Sequence, residues 1–439
     1  MLKGFYIQQI QMIIKHLTKS CIGKQVSLQG WIVHIRFSGK IGFIELRDGT
    51  GYIQAILEKK NLQEQQREQI KQAWIETSLE LTWTVKKHPK KDELELHVDN
   101  LKIFTLTQNY PIWQKEHWID FLFDNRHLHL RAKRQIALQK IRHTIYYAIT
   151  DFFNSRNFTR FDTPIFTPTI AEDSTALYSV EHPSGEIMYL NQSWQLYLEA
   201  AIHGHRYVYD FGPVFRAERS KTRRHLNELW MMDAEMAFMD FRQSMELQEQ
   251  LVYHIIQEVL KKHRQDLELL WRDISKLENI KLPFIRKTYK EVIEELQKIG
   301  VDIKYWEDLG ADEEKILMEK YDQPVFVTNY PLQVKAFYMP EDPDNPGTAK
   351  NSDLLAPEGY WEIIGWSERI WDYETLKQRI LERGYNLDDY KWYLDLRKYW
   401  GVTTSGFWLG LERTLAWITG IPHIREAIPF PRYYNRIRP

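Results

Sequence analysis

The sequence predicts an α+β protein in two parts: a small β-barrel over residues 1–107, a hinge over 108–125 and a larger α+β domain over 126–439. Three observations predict it. The chain has 439 residues, more than one domain usually holds. Its apolar pattern over 25–106 is one of short β segments, and after Arg126 it changes to helical spacing interleaved with strands. Between the two, residues 108–120 are polar, carry Pro111 and follow no clear period, which reads as a connector.

Taken in order, residues 1–20 read as a short amphipathic lead-in. Segments 26–35, 42–46, 52–57, 79–85 and 94–103 read as strands, with turn signals such as Ser38-Gly39 and Asp48-Gly49 between them and a helix over 61–72. Five short strands with one inserted helix suggest an OB-fold; a β-sandwich is the alternative that pattern alone leaves open. In the second part, 137–154 reads as a helix and 158–168 as a strand rich in β-branched residues and proline. Leu247, Leu251, Ile255, Val259 and Leu260 give 243–270 the spacing of a long packed helix. Segment 285–300 reads as a further helix, 324–338 as strands around Pro331, and 407–419 as a strand running into a helix.

Charge and cysteine usage exclude several classes. Lys+Arg 59 against Asp+Glu 60 gives a net charge of -1, so a nucleic-acid partner would have to be met by local patches. The single cysteine, Cys21, excludes an intramolecular disulfide framework and a cysteine-rich zinc site. No long apolar run and no signal-peptide pattern occurs, so no membrane span is expected, and a reducing cytoplasmic setting fits.

Three constellations carry chemistry. The first is Phe215-Arg216-Ala217-Glu218, followed by Arg223-Arg224-His225, Glu228, Asp233 and Glu235, a charged run flanked by apolar strand residues. Charges on buried strands are costly unless paired or bound to a ligand, and an arginine fork suits phosphate or carboxylate. A solvated hairpin with surface ion pairs is the plainer reading. The second is the acidic set Asp353, Glu358, Glu362 and Glu368 with Arg369, oxygen ligands of the kind that suit Mg²⁺ beside substrate phosphates. The third is Gly406-Phe407-Trp408-Leu409-Gly410-Leu411-Glu412-Arg413, small residues and a cation where a strand meets a helix. In the barrel, Arg36, Phe43 and Gln54 place a cation, an aromatic ring and an amide on neighbouring strands, a set that can stack on and read unpaired bases.

Together these groups resemble class II aminoacyl-tRNA synthetases of the aspartyl/asparaginyl branch, over about Gly23 to Arg432. Residues 215–238 look like motif 2, 406–413 like motif 3, and 158–168 like motif 1 with its proline at Pro164. The resemblance implies an OB-fold anticodon-binding domain, a catalytic domain built on an antiparallel sheet flanked by helices, and a homodimer. It implies that Arg216 holds the ATP α-phosphate and the substrate carboxylate, Glu218 the adenine amino group, Arg224 and His225 the ATP tail, and Arg413 the γ-phosphate. Asp353 and Glu362 would bind Mg²⁺; Glu172, Ser193 and Gln195 would surround the substrate α-amino group, with Asp233 in the same amino-acid site; Arg369 would meet the side-chain carbonyl. Phe43, Gln54 and Arg36 would meet the anticodon. The implied reaction is ligation of asparagine to tRNA through an asparaginyl-adenylate.

Asparagine is favoured over aspartate because Leu198 stands where the aspartyl pattern has a lysine, and a neutral amide needs no cation. Asp233 pulls the other way, since asparaginyl enzymes usually have glutamate there. An aspartyl enzyme, a tRNA-binding protein with a blocked ATP site, and an asparagine synthetase on the same catalytic fold remain the alternatives; the barrel argues against the last.

The chain departs from the family pattern at tryptophan. Trp194, Trp361, Trp366, Trp371, Trp400 and Trp408 stand where that pattern has glycine or another small residue, and Trp74, Trp83, Trp113, Trp118, Trp271 and Trp306 fall where turns or strand ends suit glycine. Trp31, Trp230, Trp392 and Trp417 fit their places. Glycine numbers 20, about 4.6% of the chain against the usual ~7%, while tryptophan numbers 16. Twelve glycines written as tryptophan would account for both, as happens when UGA encodes glycine but is translated as tryptophan.

Overall fold

Alternating apolar residues turn the N-terminal chain into β1 (Gln25–Ser38), β2 (Ile41–Arg47), β3 (Tyr52–Glu58), β4 (Ser78–Lys87) and β5 (Leu94–Thr105), with the helix Glu64–Gln72 between β3 and β4. The structure, a computed structural model, describes residues 12–87, 94–113, 115–171, 176–219 and 222–439. Glu172 and the first half of the expected lead-in lie outside the described residues. The strands close in the order β1-β2-β3-β5-β4, β1 pairing with β4, which decides for the barrel over the sandwich. The burial of β3 alternates residue by residue, and Leu28, Ile44, Leu46, Ala55, Leu57, Leu79, Leu81 and Leu96 fill the interior. Each large aliphatic side chain among them contributes about 1.5–3 kcal/mol relative to exposure. Gly30 permits the closure: a Cβ there would sit 2.4 Å from the Arg47 carbonyl oxygen.

The chain divides into two units between Ile119 and Asp120. In the second, short strands β6 (Thr159–Arg160), β7 (Phe166–Thr167), β8 (Ser179–Glu181) and β9 (Ile187–Leu190) precede the long hairpin of β10 (Tyr207–Phe215) and β11 (Glu228–Ala237). Then come β12 (Ile285–Thr288), β13 (Val325–Thr328), β14 (Asn351–Leu355), β15 (Glu362–Glu368) and β16 (Thr404–Gly410). Eight strands form one sheet in the order β12-β13-β14-β15-β16-β11-β10-β6, while β7-β9-β8 make a small separate one. The large sheet is antiparallel through its centre and parallel at its two edge pairs, β12–β13 and β10–β6.

Three helices, Lys133–Asn154, Phe241–Leu269 and Leu411–Thr419, bury their apolar stripes in one core against one face of this sheet. The longest starts at Asp240, whose side chain accepts from Gln243 N at 2.9 Å while Gln243 Oε1 accepts from Asp240 N at 3.1 Å, a reciprocal cap. On β11, Met232, Ala234 and Met236 enter that core, so strand alternation turns Asp233 and Glu235 to the opposite face. That opposite face carries the site.

Three expectations need correction. Segment 158–168 is not a continuous strand but the two-residue pieces β6 and β7, because Pro164 and Pro168 lack the N–H that a ladder requires. Segment 285–300 begins as strand β12 and turns helical only at Tyr289, where Thr288 and Glu291 form a capping box. In 324–338 only β13 is a strand; beyond Pro331 the chain makes a 3₁₀ turn at Leu332–Val334.

Candidate active site

Strand β10 ends at Phe215, so Arg216 and Glu218 leave the sheet in the loop that returns to β11. Asn227 fixes that loop, its Nδ2 donating to the Arg216 carbonyl at 2.7 Å and to the Glu218 carbonyl at 3.0 Å. Arg216 and Arg224 then line a cavity of about 250 Å³ together with Asp353 of β14, Glu362 of β15, and Trp366 and Trp408. Arg413, in the first turn of the helix after β16, donates to the Glu362 carbonyl at 2.9 Å and to its carboxylate at 3.0 Å. Four charged positions from the first two constellations and the arginine of the third thus meet at one place, whereas Glu358 pairs away from it with Arg272 and Glu368 with Lys350.

His225 stands next to them. Its Nε2 is 3.6 Å from the Glu218 carboxylate, and its Nδ1 is 2.6 Å from Thr222 Oγ1. Burial, then the positive charges of Arg413, Arg224 and Arg216, push its imidazole down to about 3, so it is neutral at physiological pH. Asp353 is pushed up to about 7 by burial, with Glu362 adding to the effect and Lys335 opposing it. Among the described residues no group of three or more His, Cys, Asp or Glu is placed to hold a metal by itself. Two carboxylates facing one cavity nonetheless fit Mg²⁺, which takes one or two carboxylates and completes its shell with phosphates and water.

A second cluster is buried beside the first. Asp233 Oδ2 accepts from Ser193 Oγ and from the Trp194 backbone N–H, both at 2.7 Å, and Ser193 Oγ accepts from Gln195 N at 3.1 Å. Gln195 Nε2 donates to Glu199 at 3.0 Å. Arg369 forks onto Glu235, with Nε at 3.2 Å, and reaches Ser367 Oγ at 2.6 Å. Glu199 is held by Tyr393 at 2.7 Å and by Arg397. Gly406 makes the Glu235 position available, since a Cβ there would lie 1.8 Å from its carboxylate oxygen. Burial, reinforced by Glu199 and Asp233, pushes the Glu235 carboxyl above the ordinary range against the pull of Arg369.

Sequence reasoning missed several members of these clusters. Lys335 lines the main cavity, donates to Asp353 at 2.8 Å and lies 3.7 Å from the centre of the Tyr330 ring. Burial would lower its ammonium, but Asp353 and Asp308 outweigh that and raise it. Glu314 reaches in from the helix Ala311–Met318 to pair with Arg224. Glu199 stood in an apolar run, and a carboxylate in such a run was the available signal.

On the barrel, Arg36 and Phe43 are cross-strand partners, the guanidinium lying 4.9 Å from the ring centroid. Gln54 pairs with Glu45 on the next strand, and the three expected residues line one concavity of about 670 Å³ with His34, Glu45 and Tyr52.

A barrel with an aromatic-cationic concavity, followed by an antiparallel sheet carrying arginines around a carboxylate-lined cavity, defines the class of protein. The family model "tRNA synthetases class II (D, K and N)" matches residues 119–434, and "OB-fold nucleic acid binding domain" matches residues 26–104. The chain belongs to the class II tRNA synthetase family. An asparagine–tRNA ligase of Desulforamulus reducens is 49% identical over 428 residues, covering 97% of this chain and 99% of the relative. One from Lactobacillus johnsonii is 45% identical over 420 residues, covering 95% and 97%. The crystal structure of asparaginyl-tRNA synthetase from Pyrococcus horikoshii complexed with asparaginyl-adenylate matches with a TM-score of 0.95 and 39% identity, covering 98% of this chain and 99% of that one.

Proposed function

We propose that the chain ligates asparagine to tRNA(Asn) in two in-line steps. The asparagine carboxylate attacks the α-phosphorus of ATP and pyrophosphate leaves; the 3′-terminal ribose hydroxyl of tRNA then attacks the adenylate carbonyl and AMP leaves. Positioning and charge neutralisation supply the catalysis, so no side-chain nucleophile is required. Arg216 neutralises the α-phosphate and carboxylate, Arg413 the γ-phosphate, and Arg224 and the neutral His225 hold the tail, while Glu218 accepts from the adenine amino group. Asp353 and Glu362 would hold Mg²⁺, which supplies charge neutralisation to the phosphates. Ser193, Gln195 and Asp233, with Glu172, position the α-amino end, and Arg369 meets the side-chain carbonyl. Arg36, Phe43 and Gln54 read the anticodon. Exposed Phe161, Ile165 and Phe166 on the segment resembling motif 1 support a homodimer.

The observation that carries the choice of asparagine is Leu198. It is fully buried in an apolar cluster with Val208, Val214 and Met231, so no cation comes from the position where the aspartyl pattern has lysine. One feature favours an aspartyl reading, the aspartate at position 233. ATP–pyrophosphate exchange with each amino acid decides between them: exchange is expected with asparagine, and greater exchange with aspartate overturns the assignment.

A further inference from the structure

The helix Phe241–Leu269 ends in a pattern that demands one residue type. After the cap residue Leu270, Trp271 N donates to the Glu268 carbonyl and Arg272 N to the Leu267 carbonyl, both at 3.0 Å. That is the paired bonding of a Schellman stop, whose turning residue adopts left-handed φ and is usually glycine. Here the turning residue is Trp271, at φ 64 and 92% exposed. A large indole in left-handed backbone, packed against nothing, has no physical rationale; glycine at that place needs none.

The same mismatch recurs where the chain is buried. The Trp408 ring stands in the phosphate-type site, 5.9 Å from the Arg216 guanidinium carbon and 5.7 Å from that of Arg413. Its Nε1 lies 2.8 Å from where a Cβ on Gly365 would be. Trp366 lines the same cavity, and its Nε1 is buried without a hydrogen bond. The Nε1 atoms of Trp194 and Trp83 are likewise buried and unsatisfied, at a cost for each N–H removed from water. Trp113, Trp118, Trp306, Trp371 and Trp400 are each half exposed or more. The other four tryptophans all have packing partners, although among the twelve Trp361 and Trp366 also join the main core and Trp400 lies 5.0 Å from the His203 ring. Trp392 stacks on Tyr197 at 5.0 Å, Trp230 packs edge-on to Phe211 at 6.3 Å, Trp31 lies 5.4 Å from the Arg47 guanidinium, and Trp417 fills the main core, although its Nε1 is also unsatisfied.

We infer that the working chain carries glycine at positions 74, 83, 113, 118, 194, 271, 306, 361, 366, 371, 400 and 408, each encoded by UGA that the source cell decodes as glycine. Removing the indoles at 366 and 408 opens the space between Arg216, Arg413, Asp353 and Glu362 for a nucleotide, and removing that at 271 relieves the helix stop. The inference does not depend on which amino acid is charged.

The gene and the native protein test it together. The expected result is UGA at the twelve positions, UGG at 31, 230, 392 and 417, and glycine at the twelve in peptides of the native protein read by mass spectrometry. UGG at the twelve overturns it, as does UGA with tryptophan in the peptides. A biochemical arm compares the chain as written with a W366G/W408G variant, using ATP alone as the probe in equilibrium dialysis. Binding at least tenfold tighter in the variant is expected; equal binding overturns the claim that the indoles close the site. Because neither arm measures aminoacylation, failure of the substrate assignment would leave these readings intact.

Discussion

Arg413 is held by the carbonyl and carboxylate of Glu362, itself a residue of the cavity wall. Replacing it by alanine removes a preorganised cation from developing charge, a change of about 2.7–4 kcal/mol in comparable sites. Arg413→Ala in the native enzyme is therefore expected to slow ATP–pyrophosphate exchange by 10²–10³-fold while the circular dichroism spectrum stays unchanged. His225 makes a prediction of the other kind. Its folded pKa is about 3, below the ~6.5 of an unfolded histidine, so the unfolded state binds the extra proton first. The contribution is full above pH 6.5 and is lost as pH falls below that, by about 1–2 kcal/mol at pH 5. His225→Gln is expected to narrow the drop in urea midpoint between pH 7 and pH 5; an unchanged drop would show that the imidazole titrates normally.

Elements set where those residues can stand. β11 sends Met232, Ala234 and Met236 into the helical core and thereby commits Asp233 and Glu235 to the site face, and Gly406 on the neighbouring β16 leaves room for the Glu235 carboxylate. Gly406→Ala drives a methyl into that carboxylate and breaks its fork with Arg369, leaving buried charge unpaired at a cost of about 3–5 kcal/mol. The expected readout is a higher KM for the amino acid and a lower urea midpoint, with the KM for ATP changing less. At the start of the long helix, Asp240→Ala removes a reciprocal cap and is expected to cost about 0.5–2 kcal/mol by chemical unfolding. The long helix was legible in the sequence because its apolar spacing is local, although its start was placed at 243, past the Asp240 cap. The broken strand over 158–168 and the strand hidden in 285–300 were not, because a proline or a capping box decides there against the composition around it.

At the scale of the whole molecule, two units divide the work. The barrel concavity holds Phe43 beneath Arg36, and a base stacked on such a ring is worth about 1–3 kcal/mol. Phe43→Ala is expected to lower kcat/KM for tRNA charging by five- to a hundredfold and to leave ATP–pyrophosphate exchange as it was. Loss of both would move the ring from recognition to folding. The charged residues of the main cavity were readable one by one, since arginine and carboxylate in apolar runs are conspicuous. Their partners were less so: Lys335 and Glu314 come from a turn and a short helix far along the chain, and only the folded sheet brings them to Asp353 and Arg224.

The order in which the barrel closes has a consequence for the gene. β1 completes its pairing only with β4, and both β4 and β5 follow residue 74. If position 74 is the first of the reassigned codons, a cell that reads UGA as stop releases the chain at Ala73, with β1 unpaired along one edge and no second unit. Such a stub keeps Arg36, Phe43 and Gln54 but neither the strand that closes their barrel nor any residue of the ATP site, so a cell that stops at UGA makes no working enzyme from this gene.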